Sequence, residues 1–214
     1  TKKDLLERYA LPPERVHVTH LASEIDESLA HGPEVVPSRP YFLYVGARAG
    51  YKNFQRLLVA FANIASLRLD VQLCAVGAPF NAAEARAIAD LKLSGRVESY
   101  DRVNDEHLAK LYRCSLALVY PSLYEGFGIP PVEAMMCGTA VVASNSSSLP
   151  EVIGNAGLLF NPESTDELAD LLLLLIDNPG ERERLVARGR ERARVFSWER
   201  TAAQTFEVYR SVID

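Results

Sequence analysis

Short apolar runs that end in glycine or proline alternate along this chain with longer segments of helical periodicity. The run "YFLYVG" at 41–46, for example, precedes "NFQRLLVAFANIASL" at 53–67, whose apolar residues recur every three or four positions and form one stripe. This strand-then-helix unit repeats about six times, a pattern typical of a parallel sheet with helices on both faces. The sequence therefore predicts an α/β fold with a Rossmann-like, doubly wound and mostly parallel sheet.

The first forty residues differ from the rest because they are rich in Pro and His and lack periodicity. We predict that 1–40 form an interdomain linker or edge segment, with an edge strand at Val16–His20. The sheet domain is predicted to cover 41–214 and to include two C-terminal helices, at about Pro179–Val195 and Trp198–Val212.

Composition narrows the class of protein. A net charge of −5 argues against a nucleic-acid coat but leaves room for a phosphate ligand held by a few basic groups. The longest apolar run, 168–176, is interrupted by Asp170 and is too short to span a bilayer. The three cysteines form no C-x-x-C pair, so buried free thiols and a cytoplasmic location are expected.

In open α/β sheets, ligands bind beyond the carboxyl ends of the strands. The first such exit, "GARAGYKN", carries Arg48 and Lys52 four positions apart, just before a helix for which Asn53 is the expected N-cap. Two cations in a glycine-containing loop suit a diphosphate. The alternative is a solvated loop with basic residues of no function.

Another exit, "EGFGIPPVEAMMCG" at 125–138, carries two glutamates eight positions apart. The two prolines favour the first turn of a helix, so Glu133 is predicted in that turn, at an anion-binding N-terminus, with Glu125 in the loop before it. The glycines allow close backbone approach, and the carboxylates accept hydrogen bonds from vicinal hydroxyls such as those of sugars. The plain alternative makes Glu133 a dipole-favoured residue and Glu125 a surface charge.

Several other chemistries have no motif here. The sequence lacks a G-x-G-x-x-G fingerprint, a P-loop, a G-x-S-x-G elbow and a D-x-D, so no metal-bridged diphosphate and no metal site are predicted. His17 and His20 lie on the predicted edge strand and need not converge on a metal, and His107 is expected to be exposed on a helix. The three serines at 146–148 are expected to form a turn and a helix cap.

Together, "FLYVGARAGYKN", "LVYPSLYEGFGIPPVEAMMCGTAVVASNSSSLPEVIGNAGLLFNP" and "FSWERTAAQTFEVYR" resemble the C-terminal, donor-binding domain of retaining GT-B glycosyltransferases of family 4, the glycosyltransferase group 1 proteins. The resemblance covers nearly the whole chain from about Tyr41. Its signature is the E-x7-E motif, combined with the basic loop upstream and the Ser-Leu-Pro-Glu segment downstream. The fold that it implies is one half of a GT-B enzyme, with the N-terminal acceptor domain absent.

The resemblance also implies roles for individual residues. Arg48 and Lys52 would bind the donor diphosphate, Glu133 the ribose hydroxyls and Glu125 the donor sugar. The backbone amides of the loop that follows Glu125 would meet the sugar and the distal phosphate, and the turn after the third strand would border the base. These further binding residues are Gly126, Phe127, Gly128, Tyr100 and Val103. Asp101 stands where many relatives carry glycine, so the contacts to the base depart from the usual pattern.

The implied reaction needs neither a metal nor a protein nucleophile, and the catalytic residues would be Glu125, Arg48 and Lys52. The nucleoside diphosphate leaves with its charge stabilised, the acceptor hydroxyl attacks the same face, and the leaving phosphate takes the proton. The donor would be a GDP or UDP sugar; the "VGARAGYKNF" segment is similar to surface-polysaccharide enzymes that use GDP-mannose. The acceptor, a glycan or a lipid-linked molecule, would bind through the missing domain. Peripheral membrane association of the full enzyme is compatible with this resemblance.

Two other functions stay open at this point. One is a stand-alone nucleotide-sugar-binding module without transferase activity. The other is a GT-B-type sugar-nucleotide epimerase, which would need additional catalytic acids and bases. The sequence suggests no His–carboxylate pairing that would supply them.

Overall fold

The computed structural model describes residues 2–213, and its strands form one six-stranded sheet in which every pairing is parallel. The strand order is 3-2-1-4-5-6, the order of the doubly wound nucleotide-binding folds. The predicted fold class is therefore confirmed. The strands are β1 (Tyr41–Val45), β2 (Gln72–Val76), β3 (Val97–Tyr100), β4 (Ala117–Tyr120), β5 (Val141–Ser144) and β6 (Leu158–Phe160).

Helices precede, separate and follow these strands. They are α1 (Lys2–Arg8), α2 (Phe54–Ala65), α3 (Ala82–Asp90), α4 (Asp105–Cys114), α5 (Ile129–Met136), α6 (Leu149–Ile153), α7 (Thr165–Asp177), α8 (Pro179–Ala193) and α9 (Trp198–Ile213). The C-terminal helices α8 and α9 begin at the predicted residues and end within two residues of the predicted ends. Within residues 2–213, no helix is both long and apolar enough to cross a bilayer.

The core has two layers, one on each face of the sheet. Side chains alternate along β1, so that Phe42 and Tyr44 pack with α2 and α7, whereas Tyr41, Leu43 and Val45 face α4, α5 and α6. All five residues of β1 are buried, because helices cover both faces of this central strand. The strands therefore read as continuous apolar runs in the sequence.

The edge strand predicted within the N-terminal forty residues is not found. No strand forms at Val16–His20, because this stretch lies in an extended segment that pairs with no sheet edge. Its place against the domain is instead fixed by side chains, since Ala22 and Ile25 are buried. Residues 16–25 form the N-terminal segment.

Local details at three residues also differ from expectation. Asn53 precedes α2 in a left-handed conformation, but its side chain does not cap the helix; it donates to the carbonyls of Pro121 and Pro162. Cys74 and Cys137 are buried free thiols as predicted, whereas Cys114, the last residue of α4, is exposed. His107 is half-buried rather than exposed, and its Nε2 lies 2.9 Å from the carbonyl oxygen of Val35.

Candidate functional site

The chain crosses from one half of the sheet to the other between β1 and β4, and a buried ion pair lies at the carboxyl ends of these two strands. Lys52 Nζ is 2.7 Å from Glu125 Oε1, and the side chains are only 14% and 11% exposed. The same Nζ lies 3.3 Å from the hydroxyl of Tyr120, the last residue of β4. Two of the predicted site residues, 73 positions apart in the chain, are thus in direct contact. Ligands of open α/β sheets bind at this crossing point.

The loop that carries Glu125 is fixed by hydrogen bonds to the three serines that follow β5. Ser147 Oγ accepts a hydrogen bond of 2.8 Å from the backbone N–H of Glu125. Ser148 donates to the carbonyls of Glu125 and Phe127, and Ser146 donates to the carbonyl of Leu123. The serines were expected to form a turn and a helix cap. Ser148 does precede α6, but its hydroxyl does not cap this helix and donates to the Glu125 loop instead.

Glu133 lies in the second turn of α5, not in the first turn as predicted, because the helix already begins at Ile129. The residue is 8% exposed, and both carboxylate oxygens accept hydrogen bonds. Tyr112 Oη donates to Oε2 at 2.8 Å, and Ser23 Oγ donates to Oε1 at 3.2 Å. Burial raises the pKa of Glu133, whereas the two hydroxyl donors lower it in part. The sequence therefore places an ionisable group where its charge is costly.

Replacing Glu133 by glutamine is expected to stabilise the protein at high pH. Because the folded-state pKa is raised, ionisation costs the native state stability as the pH rises through the range above 4.5, the ordinary value. The glutamine variant escapes this cost, so its advantage in free energy of unfolding should be larger at pH 8 than at pH 4. Urea denaturation at both pH values measures it. Glu191→Gln, at an exposed position of α8, is the control and should show no such dependence.

Arg48 forms its ion pair with Glu84 and not with Glu125. Its guanidinium donates to Glu84 on α3, at 2.9 Å from Nε, and to the carbonyls of Ala78 and Pro79. The guanidinium also lies over the rings of Phe54 and Phe80, at 5.6 and 4.9 Å from their centroids. Its side chain is only 6% exposed. In this conformation Arg48 links the β1 exit to α3 through Nε and Nη2, whereas its buried Nη1 has no hydrogen-bond partner among the described residues.

The N-terminus of α5 offers fewer backbone donors than a typical helix start. Pro130 and Pro131 occupy its second and third positions and have no N–H group. The amides that remain at this helix start belong to Ile129 and to the loop before it. Gly128 is required here for a structural reason as well, since its φ is +109° and a Cβ would lie 2.9 Å from a methyl carbon of Leu149.

The residues predicted to border the base lie at the end of β3. Tyr100 is half-buried, and its ring meets that of His107 edge-on at 5.8 Å; burial raises the pKa of its hydroxyl to about 12. Val103 packs against the α4 side of the core. Between them Arg102 adopts a φ of +53°, so this turn contains a non-glycine residue in the left-handed region. Neither Tyr100 nor Val103 forms a hydrogen bond with the Lys52–Glu125 pair.

A cavity of about 790 Å³ opens beside the Glu125 loop. One wall is formed by α1 and the N-terminal segment; the other contains Tyr120, Glu125, Gly126, Phe127, Gly128, Ile129, Pro130, Ser147, Ser148, Glu151 and Val152. Predicted sugar-binding residues therefore line one continuous concave surface. Lys52 lies outside this lining and is linked to it through its ion pair with Glu125.

The same cavity contains a histidine–carboxylate pair that the sequence did not suggest. His20 Nε2 is 2.8 Å from Glu151 Oε1, and the imidazole contacts the rings of Phe127 and Phe196. Thr201 on α9 holds the backbone carbonyl of His20. The expectation that no such pair exists was wrong, because the two residues are 131 positions apart and meet only through the path of the N-terminal segment.

Sequence reasoning also missed the hydroxyl groups that hold the two glutamates. Tyr112 and Tyr120 stand in apolar stretches and read as core residues, and Ser23 stands in a segment without periodicity. The hydroxyl of a buried tyrosine usually has a hydrogen-bond partner. A tyrosine in an apolar stretch was therefore the signal that could have indicated these contacts.

The strand order and a polar, concave carboxyl edge define a doubly wound α/β protein with a ligand site at the crossing point of its sheet. Residues 29–192 match the family described as glycosyl transferases group 1, and the chain belongs to this family. It is 38% identical to MMP alpha-(1->4)-mannosyltransferase of Mycolicibacterium hassiacum over 98% of this chain and 52% of that protein. It is 32% identical to O-antigen chain mannosyltransferase B of Escherichia coli, over 98% and 58%. Among solved structures, it is similar to sucrose-phosphate synthase from Thermosynechococcus elongatus, with a TM-score of 0.80 and 27% identity over 99% of this chain and 56% of that one. The chain thus spans little more than half of each.

Proposed function

We propose that this chain binds a nucleoside diphosphate sugar and serves as the donor-binding half of a retaining glycosyltransferase. The observation that carries the proposal is the Lys52–Glu125 pair at the β1/β4 crossing, because its carboxylate lines a cavity together with the rest of the Glu125–Gly128 loop. A cation next to a carboxylate matches a diphosphate next to sugar hydroxyls. Family membership supports glycosyl transfer, and the mannosyltransferase names of two relatives favour a mannosyl donor such as GDP-mannose over a UDP sugar.

In the proposed reaction, the ion pair exchanges partners when the donor binds. Lys52 turns to the diphosphate, and Glu125 accepts hydrogen bonds from the sugar hydroxyls. The departing diphosphate carries negative charge, which Lys52 and the loop amides stabilise, with Arg48 as a second cation if its bonds to Glu84 open. The acceptor hydroxyl attacks on the face that the diphosphate leaves, and the leaving phosphate oxygen takes its proton. The acceptor, a glycan or lipid-linked molecule, would bind largely outside this chain.

Three cysteines without a disulfide favour a cytoplasmic location.

Calorimetric titration with GDP, UDP and ADP tests the proposal directly. At least one of them should bind, and Glu133→Ala should weaken that binding by about 1.5–3 kcal/mol if its carboxylate receives hydrogen bonds from the ribose. Glu191→Ala removes an exposed glutamate of α8 and should leave the affinity unchanged. Failure of all three nucleotides to bind the wild-type chain would refute the proposal.

The His20–Glu151 pair gives the epimerase alternative a specific basis, since it supplies an acid–base pair in the cavity. Proton NMR of GDP-mannose and UDP-glucose incubated with the protein distinguishes the two functions. We expect no change of configuration within the free nucleotide sugar; its appearance, and its loss in His20→Ala, would favour the epimerase. A nucleotide-sugar-binding module without activity and a transferase domain would bind the same ligands in this chain. Only an assay of the whole protein for transfer to an acceptor distinguishes them.

A further inference from the structure

The two hydrogen-bond donors to Glu133 come from very different surroundings. Tyr112 is completely buried in α4, and its hydroxyl is 2.8 Å from Oε2. Ser23 is half-buried in the N-terminal segment, outside any helix or strand, and its hydroxyl is 3.2 Å from Oε1. One oxygen of the carboxylate is therefore fixed by the core, and the other by a side chain near the surface.

The Tyr112 hydroxyl cannot leave Glu133 without opening the core, because large buried side chains surround it. The Ser23 hydroxyl can leave by rotating about one bond. Its oxygen also accepts a hydrogen bond from the backbone N–H of Ile25 at 3.2 Å, and rotation about the Cβ–Oγ bond turns only the hydrogen away from Glu133, so this second bond is kept. Buried Ala22 and Ile25 hold the backbone on either side.

A serine hydroxyl donating to Glu133 Oε1 makes the same chemical contact that a ribose hydroxyl would make. We propose that Tyr112 is a positioning residue that fixes Glu133 Oε2, and that Ser23 occupies Oε1 in the absence of nucleotide and yields it to a ribose hydroxyl. This inference rests on the proposed function and adds to it a specific exchange at the ribose site. The exchange keeps the buried carboxylate hydrogen-bonded in both states, which a site of this burial requires.

The exchange predicts opposite effects for the two hydroxyls. Tyr112→Phe leaves Glu133 poorly oriented and should weaken binding of GDP, or of whichever nucleoside diphosphate the wild type binds, about tenfold. Ser23→Ala removes the bond that the ribose must replace and should tighten the same binding severalfold. Ser23→Thr keeps the hydroxyl and should restore the wild-type affinity.

The experiment is calorimetric titration of the full chain with the ribonucleoside diphosphate and its 2′,3′-dideoxy analogue. Tyr41→Phe is the matched control for Tyr112→Phe, because Tyr41 is equally buried and donates its hydroxyl to the carbonyl of Leu111 at 2.8 Å. Both variants lose one buried hydrogen bond, but only Tyr112→Phe should reduce the preference for ribose over dideoxyribose. Circular dichroism at the titration temperature shows that each variant is folded.

Three results would overturn the inference while leaving the proposed function intact. These are a Ser23→Ala variant that binds the ribonucleotide no more tightly than wild type, a Tyr112→Phe variant with an unchanged ribose preference, and a wild-type chain that binds both nucleotides equally. A wild-type chain that binds neither nucleotide would instead refute the proposed function itself.

Discussion

Replacing Lys52 by methionine is expected to lower the free energy of unfolding by about 3 kcal/mol. The lysine is the ion-pair partner of Glu125, and both side chains are nearly excluded from water. Methionine retains much of the apolar stem but leaves the Glu125 carboxylate without its counter-charge. The neighbouring Tyr120 hydroxyl can donate to that carboxylate but cannot neutralise it. Urea denaturation at pH 7 measures the loss.

The double variant Lys52→Met/Glu125→Gln should recover most of that stability, because it buries no unpaired charge. Arg86→Met is the control, since it breaks an ion pair with Asp90 whose side chains are 84% and 72% exposed; it should change stability little. A double variant as unstable as the single one would show that packing of the lysine stem, not charge, holds the site together.

The same variants separate the contribution of charge to binding from its contribution to stability. Under the proposed function, Lys52→Met should weaken nucleoside diphosphate binding about tenfold to a hundredfold. The double variant should be stable and still bind poorly, because the cation for the diphosphate is missing. Affinity for the nucleoside without phosphates should be similar in all three proteins.

The sheet could be predicted because its physical cause is local. Strands covered on both faces must be apolar throughout, and the helices between them must show one apolar stripe, so both leave a signal in a few consecutive residues. The prediction of a strand at Val16–His20 was wrong because it rested on a local pattern alone. The alternation at these residues resembles that of a strand, but a strand also needs a free sheet edge with which to pair, and the sequence does not specify one.

The charged residues of the candidate site could be predicted from the sequence, but the residues that they contact could not. Lys52 and Glu125 stand out at strand exits, and the structure brings them together. Arg48 stands out equally, yet it contacts Glu84, which also forms the capping box of α3 with Asn81. Such choices depend on contacts between segments far apart in the chain, and local patterns carry no information about them.

Glu84 therefore decides the state of Arg48, and Glu84→Gln is expected to destabilise the protein by about 3 kcal/mol. The carboxylate is 14% exposed and receives both Nε and Nη2 of the guanidinium. Without it, a buried cation between two phenylalanine rings keeps only neutral carbonyl partners. Denaturation in urea again provides the measurement.

Glu84 also closes the capping box of α3, so a cap control is needed. Asn81→Ala removes the side-chain cap, whose oxygen accepts from the N–H of Glu84 at 2.9 Å, and leaves the ion pair in place. It should cost about 1 kcal/mol. The double variant Arg48→Met/Glu84→Gln should regain most of the lost stability, because methionine packs well between aromatic rings. If Glu84→Gln costs no more than Asn81→Ala, the Arg48–Glu84 pair contributes little, and Arg48 is free to leave it for a diphosphate at low cost.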